Sequence, residues 1–261
     1  MVKEDSGRRS AVVTGASRAA GIGNAIARQF AAAGVDLFIT YYRPYDENSG
    51  LAGRPEEPLE LMAELRHSGV RVAGLECDLS DPAAPGTVLA RAEEALGPIS
   101  ILVNNATFSL NDTIETLTAE SLDSHYAVNL RGMALLCKEF VVRYRAAELK
   151  QGRIINLTSG QSQGPMVGEL AYVATKGAVE AFTVSLSAEI AELGITVNAV
   201  NPGITDTGWI PPDLKVKWEE SSPHGRIGLP ADAARTIAFL ASDEASWITG
   251  QVIHSTGGVT G

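Results

Sequence analysis

Cysteine is scarce in this chain: 261 residues carry only Cys77 and Cys137. The two have neither close pairing nor metal-ligand spacing, which excludes a disulfide framework and a cysteine-built zinc site. Both lie in apolar-rich segments, where a thiol is expected to be a buried packing group. The four histidines (His67, His125, His224 and His254) are scattered, so no metal centre is expected. Long apolar runs are also missing, and no stretch approaches the length that spans a bilayer. The N-terminal MVKEDSGRRS is polar and charged where a secretory leader would need an apolar core. A reducing, cytoplasmic setting is the expectation. Basic charge is in short supply, with 21 Lys and Arg against 31 Asp and Glu for a formal charge of −10. Such a chain repels nucleic acid and anionic membrane, and neither is an expected partner. A local basic pocket could still hold a phosphate.

Hydrophobic residues make up 45% of the chain, enough for a substantial core. The length suits one large α/β domain spanning residues 1–261. Short β-rich runs alternate with longer helical patterns: strands are expected at 11–15, 35–40, 71–76, 99–105, 153–158, 195–200 and 251–255. Several are nearly continuous apolar runs, as strands covered on both faces of a parallel sheet require. Gly34, Gly69, Gly97 and Gly194 each follow a helical run, in the position of a C-terminal cap. The alternation predicts a single-domain, doubly wound Rossmann fold, with helices on both faces of a seven-stranded, mostly parallel sheet. Two segments break the rhythm. Residues 42–58 are polar and rich in Gly and Pro, and read as a long loop. Residues 203–230 form an extended connection after the sixth strand and are expected to act as a substrate lid, with Trp209, Ile210 and Trp218 in it.

The first expected strand runs directly into TGASRAAGIGNAIA. Gly15, Gly21 and Gly23 there let backbone approach a pyrophosphate, and the following helix offers free N–H groups and a positive dipole end. At the end of the second strand an NAD site commonly places an Asp or Glu against the ribose hydroxyls. Here Tyr41, Tyr42 and Arg43 occupy that region. A 2′-phosphate would be attracted by Arg43 or by Arg18 of the glycine loop, which predicts NADP(H).

Tyr172 and Lys176 lie four residues apart, on one face of a helix. An ammonium beside a phenol favours the phenolate, so the tyrosine is expected to have an increased acidity. Asp78 in ECDLSD, Asn104-Asn105-Ala106, Asn129 in HYAVNLRG and Ser159 in INLTSG precede the pair, and NPGITDTG follows it. Taken in order, these motifs resemble the short-chain dehydrogenase/reductase family over essentially the whole chain. The resemblance implies that Tyr172 exchanges a proton with the substrate oxygen. Lys176 would hold the nicotinamide ribose, Ser159 would bond the developing oxyanion, and Asn129 would hold a water leading to solvent. It implies further cofactor contacts from Ser17 and Ile22 in the glycine loop, Asp78 and Leu79 beside the adenine, and Asn105 and Ala106. Pro202, Gly203, Thr205 and Thr207 would shape the nicotinamide end. A homodimer or homotetramer is also implied.

Three features depart from the family pattern: five residues separate Gly15 from Gly21, Thr107 replaces the glycine of NNAG, and Thr256-Gly257-Gly258 replaces DGG. A lengthened glycine loop also resembles the enoyl-acyl-carrier-protein reductase branch, which places its tyrosine seven residues before the lysine. Glu169 stands there. The expected chemistry is therefore reduction of a carbonyl, on a small molecule or a 3-oxoacyl thioester. The alternative is an alcohol, sugar or steroid dehydrogenase working oxidatively, and a more distant one is a non-catalytic dinucleotide sensor or scaffold.

Overall fold

The computed structural model describes residues 8–48, 50–51 and 53–259. The first seven residues of the polar N-terminal stretch, and Ser49 and Ala52 of the 42–58 connection, lie outside the described residues. Seven strands, β1 Ser10–Val13, β2 Asp36–Tyr41, β3 Val72–Glu76, β4 Ile101–Asn104, β5 Gly152–Leu157, β6 Ile195–Asn201 and β7 Val252–His254, form one sheet in the order β3-β2-β1-β4-β5-β6-β7. Every pairing is parallel, so the expected "mostly parallel" sheet is wholly so.

Alternation along each strand divides the core between two faces. Val13, Ile39 and Val103 pack with Ile26 and Phe30 of α1 (Ile22–Ala32) and Ile237 of α9 (Pro230–Ala241). Val12, Phe38 and Leu102 pack on the opposite face. Their partners are Leu89 of α4 (Ala84–Leu96), Phe140 of α6 (Met133–Ala146) and Val179 of α7 (Leu170–Glu189). Each such side chain, fully buried, contributes about 1.5–3 kcal/mol. Gly34, Gly69, Gly97 and Gly194 all have φ between 72° and 83°, the positive φ that glycine adopts without strain at helix ends, and Gly194 is in the left-handed helical conformation.

Both irregular connections hold a helix that composition hid. Residues 43–48 form α2 (Arg43–Asn48), and α3 (Glu57–His67) begins before the expected loop ends. Pro44 does not prevent α2, because a proline in the first turn removes no intrahelical bond. The 203–230 connection contains α8 (Pro212–Ser221), which buries none of its side chains. Between β3 and α7, α5 (Ala119–His125) runs into a π-helical stretch, Tyr126–Gly132, and then into α6.

Strand order reverses between β1 and β4. In such sheets the crevice beyond the carboxyl ends at that point is where ligands bind. The glycine loop follows β1 and residues 105–107 follow β4, so the two flank this crevice.

Candidate active site

A cleft of about 880 Å³ opens at the switch point. Its lining includes Gly15, Ser17, Arg18, Gly21, Ile22, Tyr42, Asp78, Leu79, Asn105, Ala106 and Thr207 of the expected cofactor set. The residues fit a dinucleotide, because the glycine loop is packed backbone to backbone and puts no side chain of Gly15 or Gly21 in front of the cleft. A Cβ on Gly15 would stand 2.7 Å from Ala106 Cα, and one on Gly23 2.5 Å from the Gly15 carbonyl oxygen. Asn105 clamps this loop, its Nδ2 donating to the Thr14 and Gly15 carbonyls at 2.8 and 3.0 Å. The first turn of α1 carries no acidic side chain, and no side chain caps it. Its N–H groups therefore face the cleft without a competing negative charge.

Other expected contacts lie elsewhere. Gly23 is behind the loop, where it permits the close approach of α1. Arg43 is turned away from the cleft lining and held by Glu76, Nε to Oε1 at 2.9 Å and Nη2 to Oε2 at 2.5 Å. The Glu76 carboxylate comes from the end of β3, 33 positions away, and nothing local to β2 signals it. Pro202, Gly203 and Thr205 stand outside the cleft, and the Thr205 hydroxyl donates to the Pro202 and Gly203 carbonyls of its own turn. Thr207 does reach the lining, and its carbonyl accepts from Arg18 Nη1 at 2.8 Å.

α7 carries Tyr172 and Lys176, and a residue remote in sequence fixes its start. Glu169 does not cap the helix with its side chain. Instead the buried Asp112 carboxylate accepts from the Leu170 N–H at 2.5 Å and the Ala171 N–H at 3.1 Å. Lys176 is also buried, with Nζ donating to the Leu157 carbonyl at 2.9 Å and lying 5.5 Å from the Tyr172 ring centre. Burial alone brings the Lys176 ammonium down to about 8.

Tyr172 moves in the opposite direction from the expected one. Burial pushes its phenol up to about 12, and the negative charge of Glu169 acts the same way. The Ser159 and Thr107 hydroxyls oppose the shift by hydrogen bonding, without overcoming it. The His125 ring, 6.4 Å away and edge-on, forms part of the apolar surround, and Phe108 packs on that ring in turn. His125 Nδ1 meets the Ser121 carbonyl and Nε2 accepts from the Leu110 N–H, so the ring is fixed in place.

Asn129, in the π-helical stretch, joins three segments. Its Oδ1 accepts from the Phe108 N–H at 2.7 Å and the Thr107 hydroxyl at 3.1 Å, while Nδ2 donates to the Phe108 carbonyl and to Thr175 Oγ1. Thr107, the departure from NNAG, thus supplies a hydroxyl between Asn129 and Tyr172. Ser159 follows β5, with its hydroxyl 3.8 Å from the Met166 sulfur. Gln161 and Gln163, placed between Ser159 and Tyr172 in sequence, are engaged in structural contacts: Gln161 with Thr158 and Glu180, Gln163 with Asn201. Trp209 and Trp218 pack on each other at 5.7 Å, with the Trp209 indole N–H on the Thr205 carbonyl.

Cys137 is buried away from the cleft and Cys77 lines it beside Asp78, with burial raising Cys77 to about 11 and Cys137 to about 12. Such thiols are inert as nucleophiles at neutral pH. Among the described residues no group of three or more His, Cys, Asp or Glu is placed to hold a metal, and no helix is long and apolar enough to cross a membrane.

Residues 15–260 match a family model described as enoyl-(acyl carrier protein) reductase. The chain is 51% identical to an uncharacterized oxidoreductase, YjdA, of Bacillus subtilis, over 97% of both chains. It is 34% identical to the 3-oxoacyl-[acyl-carrier-protein] reductase FabG of Staphylococcus epidermidis, over 96% of this chain and 98% of that one. Among solved structures, LugOII, a promiscuous reductase that catalyses a keto-reduction in lugdunomycin biosynthesis, superposes with a TM-score of 0.84 at 33% identity, covering 96% of each chain. A blue fluorescent protein from a metagenomic library, solved in complex with NADPH, gives 0.84 at 31% identity, covering 96% and 97%.

Proposed function

Because the chain belongs to the short-chain dehydrogenase/reductase family and is an oxidoreductase, we propose that it reduces carbonyl groups at the expense of NADPH, with 3-oxoacyl thioesters as its substrate class. The observation that carries the reading is the placement of Tyr172, buried beside Lys176 and hydrogen-bonded by the Ser159 and Thr107 hydroxyls, where its phenol can give a proton to a carbonyl oxygen. The hydride would come from a bound nicotinamide cofactor, which the glycine loop and the cleft lining would hold.

The remaining roles follow from position. Ser159, beside Tyr172, bonds the oxygen as negative charge develops on it. Lys176, anchored on the Leu157 carbonyl, presents an ammonium behind the tyrosine. Asn129, bonded to Thr107 and Thr175, orders the polar path behind both. The family model's description names enoyl reduction, but Glu169 occupies the position where that chemistry would need a tyrosine. The identity to FabG supports the thioester class, and the NADPH complex of a structural neighbour supports the cofactor.

Replacing Tyr172 with Phe keeps the ring and deletes the proton. Turnover of a 3-oxoacyl thioester is expected to fall about 10²–10⁴-fold while NADPH binding is retained; turnover like that of the wild type would sink the assignment. Reductive kcat/KM is expected to decline as pH rises through about 8, where Lys176 loses its charge. A panel of ketones and alcohols run in both directions tests the substrate class, and faster alcohol oxidation at pH 7 would overturn the direction.

A further inference from the structure

The dinucleotide cleft is lined by two guanidinium groups, Arg18 and Arg131, and by three carboxylates, Asp46, Asp78 and Asp123. Among the described residues, an additional phosphate would therefore find cations in that lining at Arg18 and Arg131 alone. Arg131 is turned to the Ser80 carbonyl and lies over the Tyr126 ring at 6.0 Å. Arg18 is the guanidinium on the glycine loop, and it is already engaged: its Nε lies 3.3 Å from Asp46 Oδ1. The two side chains are 18% and 14% exposed, so solvent screens this pair far less than it would a surface pair.

α2 delivers Asp46 to this place. Its first residue is tied to Glu76 on β3. Across the cleft, the Tyr45 hydroxyl accepts from the Ser109 N–H at 3.1 Å, and the Tyr45 ring meets Phe108 at 5.6 Å. Asp46 itself is hydrogen-bonded to Ser17 of the glycine loop. The carboxylate that an NAD site commonly carries at the end of β2 is thus supplied five residues beyond Tyr41, from a helix.

We propose that Asp46 is a specificity-determining residue for the cofactor, competing with an adenosine 2′-phosphate for Arg18 and so lowering the affinity for NADPH relative to NADH. The inference rests on the NADPH reading above and deepens it. A phosphate would take the guanidinium as a charge-assisted fork, but only after separating it from Asp46 and then lying beside that carboxylate. A plain ribose leaves the ion pair whole and finds in Asp46 a hydrogen-bond acceptor. Asp46 therefore acts against one cofactor and is neutral or favourable to the other.

The test is to titrate NADPH and NADH separately into the wild type, Asp46→Asn, Arg18→Gln and the double variant, reading nucleotide fluorescence, with no turnover involved. Asn keeps the size of the side chain and a partner for Ser17; Asp46→Ser serves if that variant misfolds. Asp46→Asn is expected to tighten NADPH about fivefold to tenfold and to leave NADH within about twofold. On the Arg18→Gln background the gain is expected to shrink to about twofold or less. Equal changes for both cofactors, or no change for NADPH, would overturn the proposal. A full-sized gain without Arg18 would overturn it too, since repulsion alone would then account for the effect. The NADPH reading fails by a different result, a wild type that turns over faster with NADH, and the shift in ratio on Asp46→Asn still decides the role of Asp46.

Discussion

On one side of the dinucleotide cleft, the glycine loop is fixed by backbone contacts that leave no room for a Cβ at Gly15 or Gly23. On the other, α2 is held by side chains: Arg43 on Glu76, Tyr45 on Ser109 and Asp46 on Arg18. Close-packed backbone has one arrangement and fails when it is crowded. Ion pairs can exchange partners without moving the backbone, most cheaply at Arg43–Glu76, which water reaches. In the proposed binding mode the rigid wall would take the pyrophosphate, which every dinucleotide shares, and the adjustable wall would meet the ribose, where the two cofactors differ.

The sharpest way to break this contrast is Gly23→Ala. The added methyl would stand 2.5 Å from the Gly15 carbonyl oxygen and 2.7 Å from Asn105 Nδ2, so α1 and the loop must separate. Folding stability is expected to fall by about 1–3 kcal/mol, and NADPH and NADH are both expected to bind about tenfold or more weakly. Unequal losses would mean that the loop reads the ribose as well, and the division of labour between the walls would collapse. Asp46→Asn comes next in size, with its effect confined to one cofactor.

The same contrast explains what could be read from the amino-acid order. The glycine loop is a local pattern: a strand, three glycines and a helix within about twenty residues, all visible in sequence. Tyr172 and Lys176 share a helix face by spacing alone. The α2 wall depends on contacts between distant residues, Asp46 with Arg18, Arg43 with Glu76, Tyr45 with Ser109, and no periodicity connects those pairs. Asp112 was invisible for the same reason, since the helix it caps begins 58 positions later. The acidity of Tyr172 is not legible in the spacing, which shows the nearby ammonium but not the burial. His125, whose ring stands edge-on to that of Tyr172, and Phe108, which packs on His125, come from the segment after β4. Gly50, Gly53 and Pro58 made residues 42–58 look irregular, while the six residues that form α2 are too few to show helical periodicity.

The smallest expected effect sharpens the comparison from within the adjustable wall. Arg43 after β2 and Arg18 in the glycine loop are both candidates for the 2′-phosphate by charge. In the structure Arg43 makes a bidentate pair with Glu76 outside the cleft, with side chains 40% and 30% exposed, whereas Arg18 lines the cleft itself. An exposed pair of this kind contributes little to stability, because solvent and salt screen it. Arg43→Gln is therefore expected to leave the melting temperature unchanged and NADPH affinity within about twofold of the wild type. Arg18→Gln should weaken NADPH selectively. If instead Arg43→Gln cost as much NADPH affinity as Arg18→Gln, α2 would have to release Glu76 and turn Arg43 inward when the cofactor binds. The ion pairs of this wall would then be rearranged together, and Asp46 would be one member of that exchange.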